Sequence, residues 1–392
     1  MFSGTKKMIV LVLGMHRSGT SAITRGLSAL GIELGGNLMQ PIEGNNEKGF
    51  FEDVDINSLN IEILNSVGHE WHSLRPVSES DLKGLCENEI FLEKAKAIVR
   101  FKLRDKNSFG IKDPRLSKLV PFWFTVLNDL GLDVKILVAC RSPISVAESL
   151  QKRNGFPYIK SFYMWMGHNL SSLSFTKCIP RLVVDYDKLI DDPRVQLTRI
   201  ADYLAPGRLL DEAPVSEYIS TFLDDKLRHT KHTTQESLSI HSVPVEVRDL
   251  HLLMSKMAAE PASNYTDDRA HSELDVLAAK QLENTHLLTL YDYAEDTRRA
   301  ENAVIAEKIQ NLQNQITILI EERNALCSKM EQVNISFSNS QAEFEKTIHI
   351  SAKTHAYLVD ELQRTSQKLE LAAADLAKIQ NTKIYKYLAR FM

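Results

Sequence analysis

Apolar positions in the first two hundred residues follow two alternating rhythms. Short runs rich in Val, Ile and Leu occur at Met8–Leu13, Phe109–Lys112, Val134–Ala139 and Arg181–Val184. Such runs, lacking polar alternation, predict strands buried on both faces. Stretches with helical spacing separate them: Ser18–Leu30, Val54–Val67, Glu79–Arg104, Leu116–Leu130 and Pro143–Lys152. This alternation predicts an α/β domain, a parallel sheet flanked by helices on both sides. The punctuation agrees. Gly68 and Gly131 stand where helix C-caps belong, while Ser142-Pro143 and Asp192-Pro193 each place a cap before a proline at the first helical position.

The strand rhythm stops near residue 205. Residues 206–245 read as loop-rich and 246–296 as helical. Next, Ile309, Leu312, Ile316, Leu319, Arg323, Leu326, Met330, Val333 and Phe337 follow 3-4-3-4 spacing, with only Arg323 out of type. That pattern predicts a C-terminal coiled coil. It fades over Ser338–Thr354 and returns, shifted in register, at Leu362, Leu369, Leu376 and Ile379. A long amphipathic helix folded back on the globular domain would give the same stripe. The expected organisation is a domain at 1–255, a helical linker at 256–296, a coiled coil at 297–382 and a basic, aromatic tail at 383–392.

A hydrophobic content of 43% suffices for a sizeable core, and a net charge of −4 marks the chain for neither nucleic acid nor acidic membrane. Any anion site must therefore be local. The four cysteines form no CxxC pair, which points to a reducing cytoplasm rather than to disulfides or zinc. Lys6 and Lys7 before Met8–Met15 imitate a signal peptide, but His16 and Arg17 end the apolar run early and a buried strand explains it better. No apolar run approaches the ~20 residues that cross a bilayer. The tail Lys383–Met392 offers at most transient membrane contact.

The segment from Met8 to Ser21 carries the chemistry. A strand runs into a turn bounded by Gly14 and Gly19, and the turn opens a helix. Backbone N–H groups in such a turn form a nest for anionic oxygens, and the helix N-terminus adds partial positive charge. The Gly14-x4-Gly19 spacing is that of a P-loop, yet Thr20 stands where a nucleotide-triphosphate loop needs lysine. The cation is Arg17, inside the loop. This fits a monophosphate-type or sulfate-bearing anhydride better than magnesium ATP, with no metal required. Further along, Arg141 ends the third strand and Ser149 follows eight residues later, two turns into the next helix. A strand's carboxyl end is where α/β folds bind ligands, so the two side chains could hold one phosphate from opposite sides.

Gly14–Ser21 resembles the 5′-phosphosulfate loop of the P-loop sulfotransferase superfamily, in an arginine-bearing form common in bacterial members. Arg141 and Ser149 resemble the same family's 3′-phosphate motif, and the likeness extends over roughly residues 8–232. It implies 3′-phosphoadenosine 5′-phosphosulfate (PAPS) as donor, held through Gly14, Arg17, Ser18, Gly19, Thr20, Ser21, Arg141 and Ser149. Arg17 would stabilise the leaving bridging oxygen. The acceptor implied is a hydroxyl, on a glycan, a glycolipid or another molecule. Relatives that sulfate carbohydrates use a glutamate after the first helix as base, which points to Glu52. Lys112 matches a lysine that contacts the sulfate in cytosolic members, but Pro114 replaces their catalytic histidine, leaving Asp113 as rival to Glu52. A Lys112–Asp113–Arg115 network that only shapes the turn is the bland alternative. Lys226–His232 is the nearest counterpart of the family's lid. A P-loop kinase and a non-catalytic nucleotide-binding scaffold remain as other readings. A homodimer through the coiled coil is expected.

Overall fold

A computed structural model describes residues 6–42, 48–223, 242–260, 268–340 and 348–380. The basic stretch Lys226–His232 and the tail Lys383–Met392 lie outside the described residues, as does Asn46. Four strands form one parallel sheet: β1 (Met8–Leu13), β2 (Ser108–Lys112), β3 (Asp133–Cys140) and β4 (Arg181–Asp185), in the order β2-β1-β3-β4. All four follow the apolar runs to within a residue or so at each end. The sheet is sandwiched. Ile9, Leu11 and Leu13 point into one apolar core and Val10 and Val12 into the other, as strand alternation demands.

Helices α1 (Thr20–Ala29), α2 (Val54–Ser66), α3 (Glu79–Glu87) and α4 (Glu89–Lys102) lie between β1 and β2. The long helix expected over Glu79–Arg104 is two helices. Asn88 ends α3 and caps α4, its side chain accepting from the Phe91 N–H at 3.1 Å. Asparagine competes with the helical ladder by bonding nearby backbone, so the chain breaks there. Helix α5 (Leu116–Asp129) connects β2 to β3. Then α6 (Pro143–Asn154) and α7 (Tyr158–Phe175) lead to β4, and α8 (Tyr186–Asp191), α9 (Pro193–Leu204) and α10 (Glu212–Glu217) follow it.

The expected boundary at 255/256 is too early. The globular unit runs to Asp292, and the second unit spans Tyr293–Met392. Ala270, Leu274, Leu277 and Leu288, assigned to a linker, are buried in the main core. The Asp292 carboxylate also accepts from the N–H groups of Leu74 at 2.9 Å and Arg75 at 3.1 Å. In the second unit, one helix spans Thr285–Ser340 from its start in the first, and another spans Ile348–Gln380. Ile309, Leu312, Ile316, Leu319, Leu326, Met330 and Val333 are half-buried while Arg323 is exposed, so the heptad stripe is the shielded side of its helix.

Candidate functional site

Parallel pairing lines up the strands' carboxyl ends. Val12 pairs with Lys112, Leu13 with Val138 and Cys140 with Asp185. Consequently the loops after β1, β2, β3 and β4 emerge at one edge, carrying Arg17, Lys112 with Asp113, Arg141 and Tyr186. Residues far apart in sequence meet because of register alone.

The loop after β1 is tightly specified. Gly14 and Gly19 have φ of 129° and 83°, and Arg17 takes the left-handed region at 68°. For a non-glycine residue that conformation costs about 1–2 kcal/mol, a strain often stored at functional turns. A Cβ on Gly19 would lie 2.1 Å from Cδ2 of Tyr186, so the ring packs directly against the loop. The Gly14 N–H is held by Ser117 Oγ at 2.9 Å. Helix α1 then starts with no side-chain cap on its first-turn amides. The Ser18 hydroxyl is sealed from solvent and has no hydrogen-bond partner. An uncapped helix start, an orphaned hydroxyl and an internal cation together fit an anionic group.

Arg141 and Ser149 belong to the same assembly. Arg141 Nη1 donates to the Arg17 carbonyl at 3.0 Å, and its guanidinium lies 4.7 Å from the Tyr186 ring centroid. Its own carbonyl accepts from Trp165 Nε1 at 3.1 Å. Ser149 is tied to the loop after β1. Its Oγ accepts from Arg17 Nε at 2.7 Å and so joins the two anion motifs. Burial and then the nearby Arg141 charge lower the Arg17 pKa from its usual value. Thr20 is buried, and the Ser21 hydroxyl donates to the Phe50 carbonyl at 3.1 Å, tying the loop to the segment that carries Glu52.

Behind the loop, Glu52 and Lys112 form a buried ion pair at 2.5 Å, with side chains 5% and 3% exposed. Lys112 also donates to the Phe50 carbonyl at 3.0 Å, and Asn57 Nδ2 donates to Glu52 Oε2 at 2.9 Å. Burial raises the Glu52 pKa, Lys112 opposes that, and Asp113 adds to it. Asp113 is more fully engaged. Its carboxylate accepts from Arg115 Nη1 at 3.0 Å, the Arg115 N–H at 2.9 Å and Asn60 Nδ2 at 3.0 Å, and Asn60 in turn accepts from Trp123 Nε1 at 2.8 Å. Lys112 thus pairs with Glu52 and Arg115 with Asp113, and Asn57 Nδ2 bridges the two carboxylates, donating to Asp113 Oδ2 as well at 3.4 Å. Asp53 caps α2, accepting from the Asp55 and Ile56 amides, while its neighbour Glu52 turns inward.

Sequence reasoning missed His16, Trp71, Arg153 and Phe156, which gather beside the loop. His16 meets Trp71 edge-on at 4.5 Å between centroids. Arg153 lies one turn beyond Ser149, a signal that the i, i+4 rule could have supplied. Trp71 follows α2 with no local signal.

Among the described residues, no group of three His, Cys, Asp or Glu side chains is placed to hold a metal ion. No described helix is long and apolar enough to cross a membrane. No family profile matches the sequence, and neither does any curated protein. Solved structures similar in fold include two sulfotransferase domains. One is the sulfotransferase domain from the Synechococcus PCC 7002 olefin synthase, with 18% identity over 65% of this chain and 96% of that one, at a TM-score of 0.39. The other is the sulfotransferase domain from the curacin biosynthetic pathway, with 15% identity over 71% of this chain and 98% of that one, at a TM-score of 0.34. Likenesses of that size carry no weight, so the chemistry must come from this chain's own residues.

Proposed function

We propose that the chain is a sulfotransferase that moves a sulfuryl group from PAPS to an acceptor hydroxyl on a glycan or glycolipid. The observation that carries this reading is the bond between Arg17 and Ser149 at 2.7 Å, which couples a phosphate-loop cation to the α6 serine beside Arg141. A nucleotide with anionic groups at both its 5′ and 3′ ends suits two linked sites better than a monophosphate does. Thr20 in place of a P-loop lysine counts against a kinase.

In this reading the loop amides, Ser18 and Thr20 cradle the 5′-phosphosulfate. Arg17 faces the bridging oxygen, where negative charge grows as the sulfur–oxygen bond breaks. Arg141 and Ser149 meet the 3′-phosphate. The acceptor oxygen forms the new bond to sulfur, and its proton passes to Glu52, whose raised pKa suits a general base. Lys112 orients that carboxylate and adds positive charge beside the sulfuryl group. Asp113, held by Arg115 and Asn60, shapes the turn. The four cysteines are scattered and form no CxxC pair, the ground for a reducing compartment such as the cytoplasm. The 3-4-3-4 spacing of the heptad stripe is the ground for a homodimer formed through the C-terminal helix.

Calorimetric titration tests the donor. The product nucleotide 3′-phosphoadenosine 5′-phosphate should bind at least about tenfold more tightly than AMP, as charge-assisted contacts to the second phosphate require. Ser149→Ala should erase part of that preference and Arg141→Ala most of it. Equal affinity for the two nucleotides, or tighter binding of ATP, would end the PAPS reading.

A further inference from the structure

The donor and base residues leave one cluster beside the loop unassigned. At its centre is the half-buried Trp71. Its indole meets His16 at 4.5 Å, His72 at 5.3 Å and Phe156 at 5.8 Å between centroids, and the Arg153 guanidinium lies 5.3 Å from its ring centroid.

Arg153 is the unusual member. Its Nε donates to Asn154 Oδ1 at 2.6 Å, and among the described residues no carboxylate lies within ion-pair distance of it. Burial, with the nearby Arg17 charge, brings its pKa down to about 10, so it stays cationic at neutral pH. The negative face of the indole offsets that charge only in part. A half-buried guanidinium with an aromatic neighbour and no acid is poised for an anion that arrives from outside.

Position indicates which anion. The donor's two anionic ends already have Arg17 and Arg141. Arg153 stands one turn past Ser149 on the same face of α6, at the end nearer Phe156. Besides Arg17, the charges acting on it are those of Glu52 and Arg115, on the side of the proposed base. His16 Nε2, sealed from solvent without a hydrogen-bond partner, is a second polar atom in the same cluster. Burial and then the Arg153 charge hold the His16 pKa well below its usual value of 6.5, so it is a neutral hydrogen-bonding group at pH 7.

We infer that Trp71 and Arg153, partly exposed beside His16, form the acceptor subsite, with the buried Phe156 and the Glu70-paired His72 packed behind them, and that the acceptor is a saccharide carrying its own anionic group. A uronic-acid carboxylate, a phosphate or an existing sulfate would pair with Arg153 while the sugar's apolar face lies against Trp71. The inference rests on the sulfotransferase reading and narrows its acceptor.

The experiment uses the full-length protein. Titration with 3′-phosphoadenosine 5′-phosphate comes first and decides the sulfotransferase reading by itself. The nucleotide-saturated protein is then titrated with methyl β-glucoside, methyl β-glucuronide, glucose 6-phosphate and glucose 6-sulfate. At least one anionic sugar should bind about tenfold or more tightly than the glucoside, as a charge-assisted pair implies. The strongest of the three identifies the anion. Arg153→Gln should remove the preference while changing nucleotide affinity less than twofold, and Arg153→Lys should keep part of it. Equal binding of neutral and anionic sugars, or no binding of any, would overturn the inference. So would an Arg153→Gln variant that loses nucleotide affinity as steeply as sugar affinity, because Arg153 would then belong to the donor site.

Discussion

Replacing Lys112 with methionine removes the cation facing Glu52 and leaves the carboxylate in place. The two groups are 2.5 Å apart and almost fully buried. Breaking such a pair from one side strands a charge in a low-dielectric site and costs about 3–5 kcal/mol. Protonating Glu52 relieves part of that cost. Burial already raises its pKa and Lys112 is the main influence pulling it down, so the variant's Glu52 pKa moves further up. The sign follows. Between the ordinary carboxylate value of 4.5 and the raised one, the folded state holds a proton that the unfolded state has released. Lys112→Met should therefore regain stability as pH falls through that window. Turnover goes the other way. A base must be unprotonated, so the acid limb of the rate profile shifts to higher pH. Glu52→Gln should lower turnover roughly 10²–10⁴-fold with donor binding intact, and Asp113→Asn should do less. The double variant Lys112→Met with Glu52→Gln replaces two charges by neutral groups of similar size. It should recover most of the stability lost by Lys112→Met, to within about 1 kcal/mol of wild type. Urea unfolding at pH 6 and pH 9 and a pH profile of sulfate transfer read both quantities. Additive stability losses in the double variant would show that the pair is not coupled as its geometry requires. An acid limb unmoved by Lys112→Met would remove Glu52 from the role of base.

Two further outcomes test other parts of the molecule. Gly19→Ala puts a methyl group 2.1 Å from the Tyr186 ring at φ 83°, so left-handed strain and overpacking should together cost about 2–5 kcal/mol and weaken nucleotide binding; unchanged unfolding and binding would refute the loop geometry. The full chain should be a homodimer, and a chain ending after Ala300 should be a monomer that still binds the nucleotide; a monomeric full-length protein in light scattering would mean the heptad stripe packs within one chain.

The strands were legible because each is an unbroken run of buried β-branched residues, and a parallel sheet covered on both faces needs such runs. Helix α7 was not, because it is buried on nearly every side and its buried apolar residues, Phe162, Trp165, Leu170 and Leu173 among them, are interleaved with buried polar ones. His168, Asn169, Ser172 and Thr176 are buried, and each bonds a carbonyl four residues back or accepts from such a bond. Internal satisfaction of this kind leaves no hydrophobic rhythm to read. The phosphate loop was legible from spacing and from the position of its arginine. The partition of the acidic network was not. Asn60 on α2 holds Asp113 at 3.0 Å across some fifty residues of sequence, and Asn57, one turn earlier, links Asp113 at 3.4 Å to Glu52 at 2.9 Å. The same holds for Trp71 and Arg153, whose meeting depends on how α6 docks beside the loop after α2.

Arg17 makes the two anion motifs a single device. Its carbonyl is fixed by Arg141, its Nε is given to Ser149, and its backbone is held in a conformation that an arginine takes only under constraint. A ligand group that pulls on Arg141 or Ser149 thus acts on the side chain assigned to the leaving oxygen. If the donor is PAPS, as proposed, binding energy from its 3′-phosphate would be available to position Arg17 in the transition state as well as to retain the donor. An enzyme built this way would discriminate against donors lacking that phosphate in turnover as well as in affinity. A lysine in the loop, a flexible point charge with no planar fork to share between Ser149 and the bridging oxygen, could not transmit the same constraint.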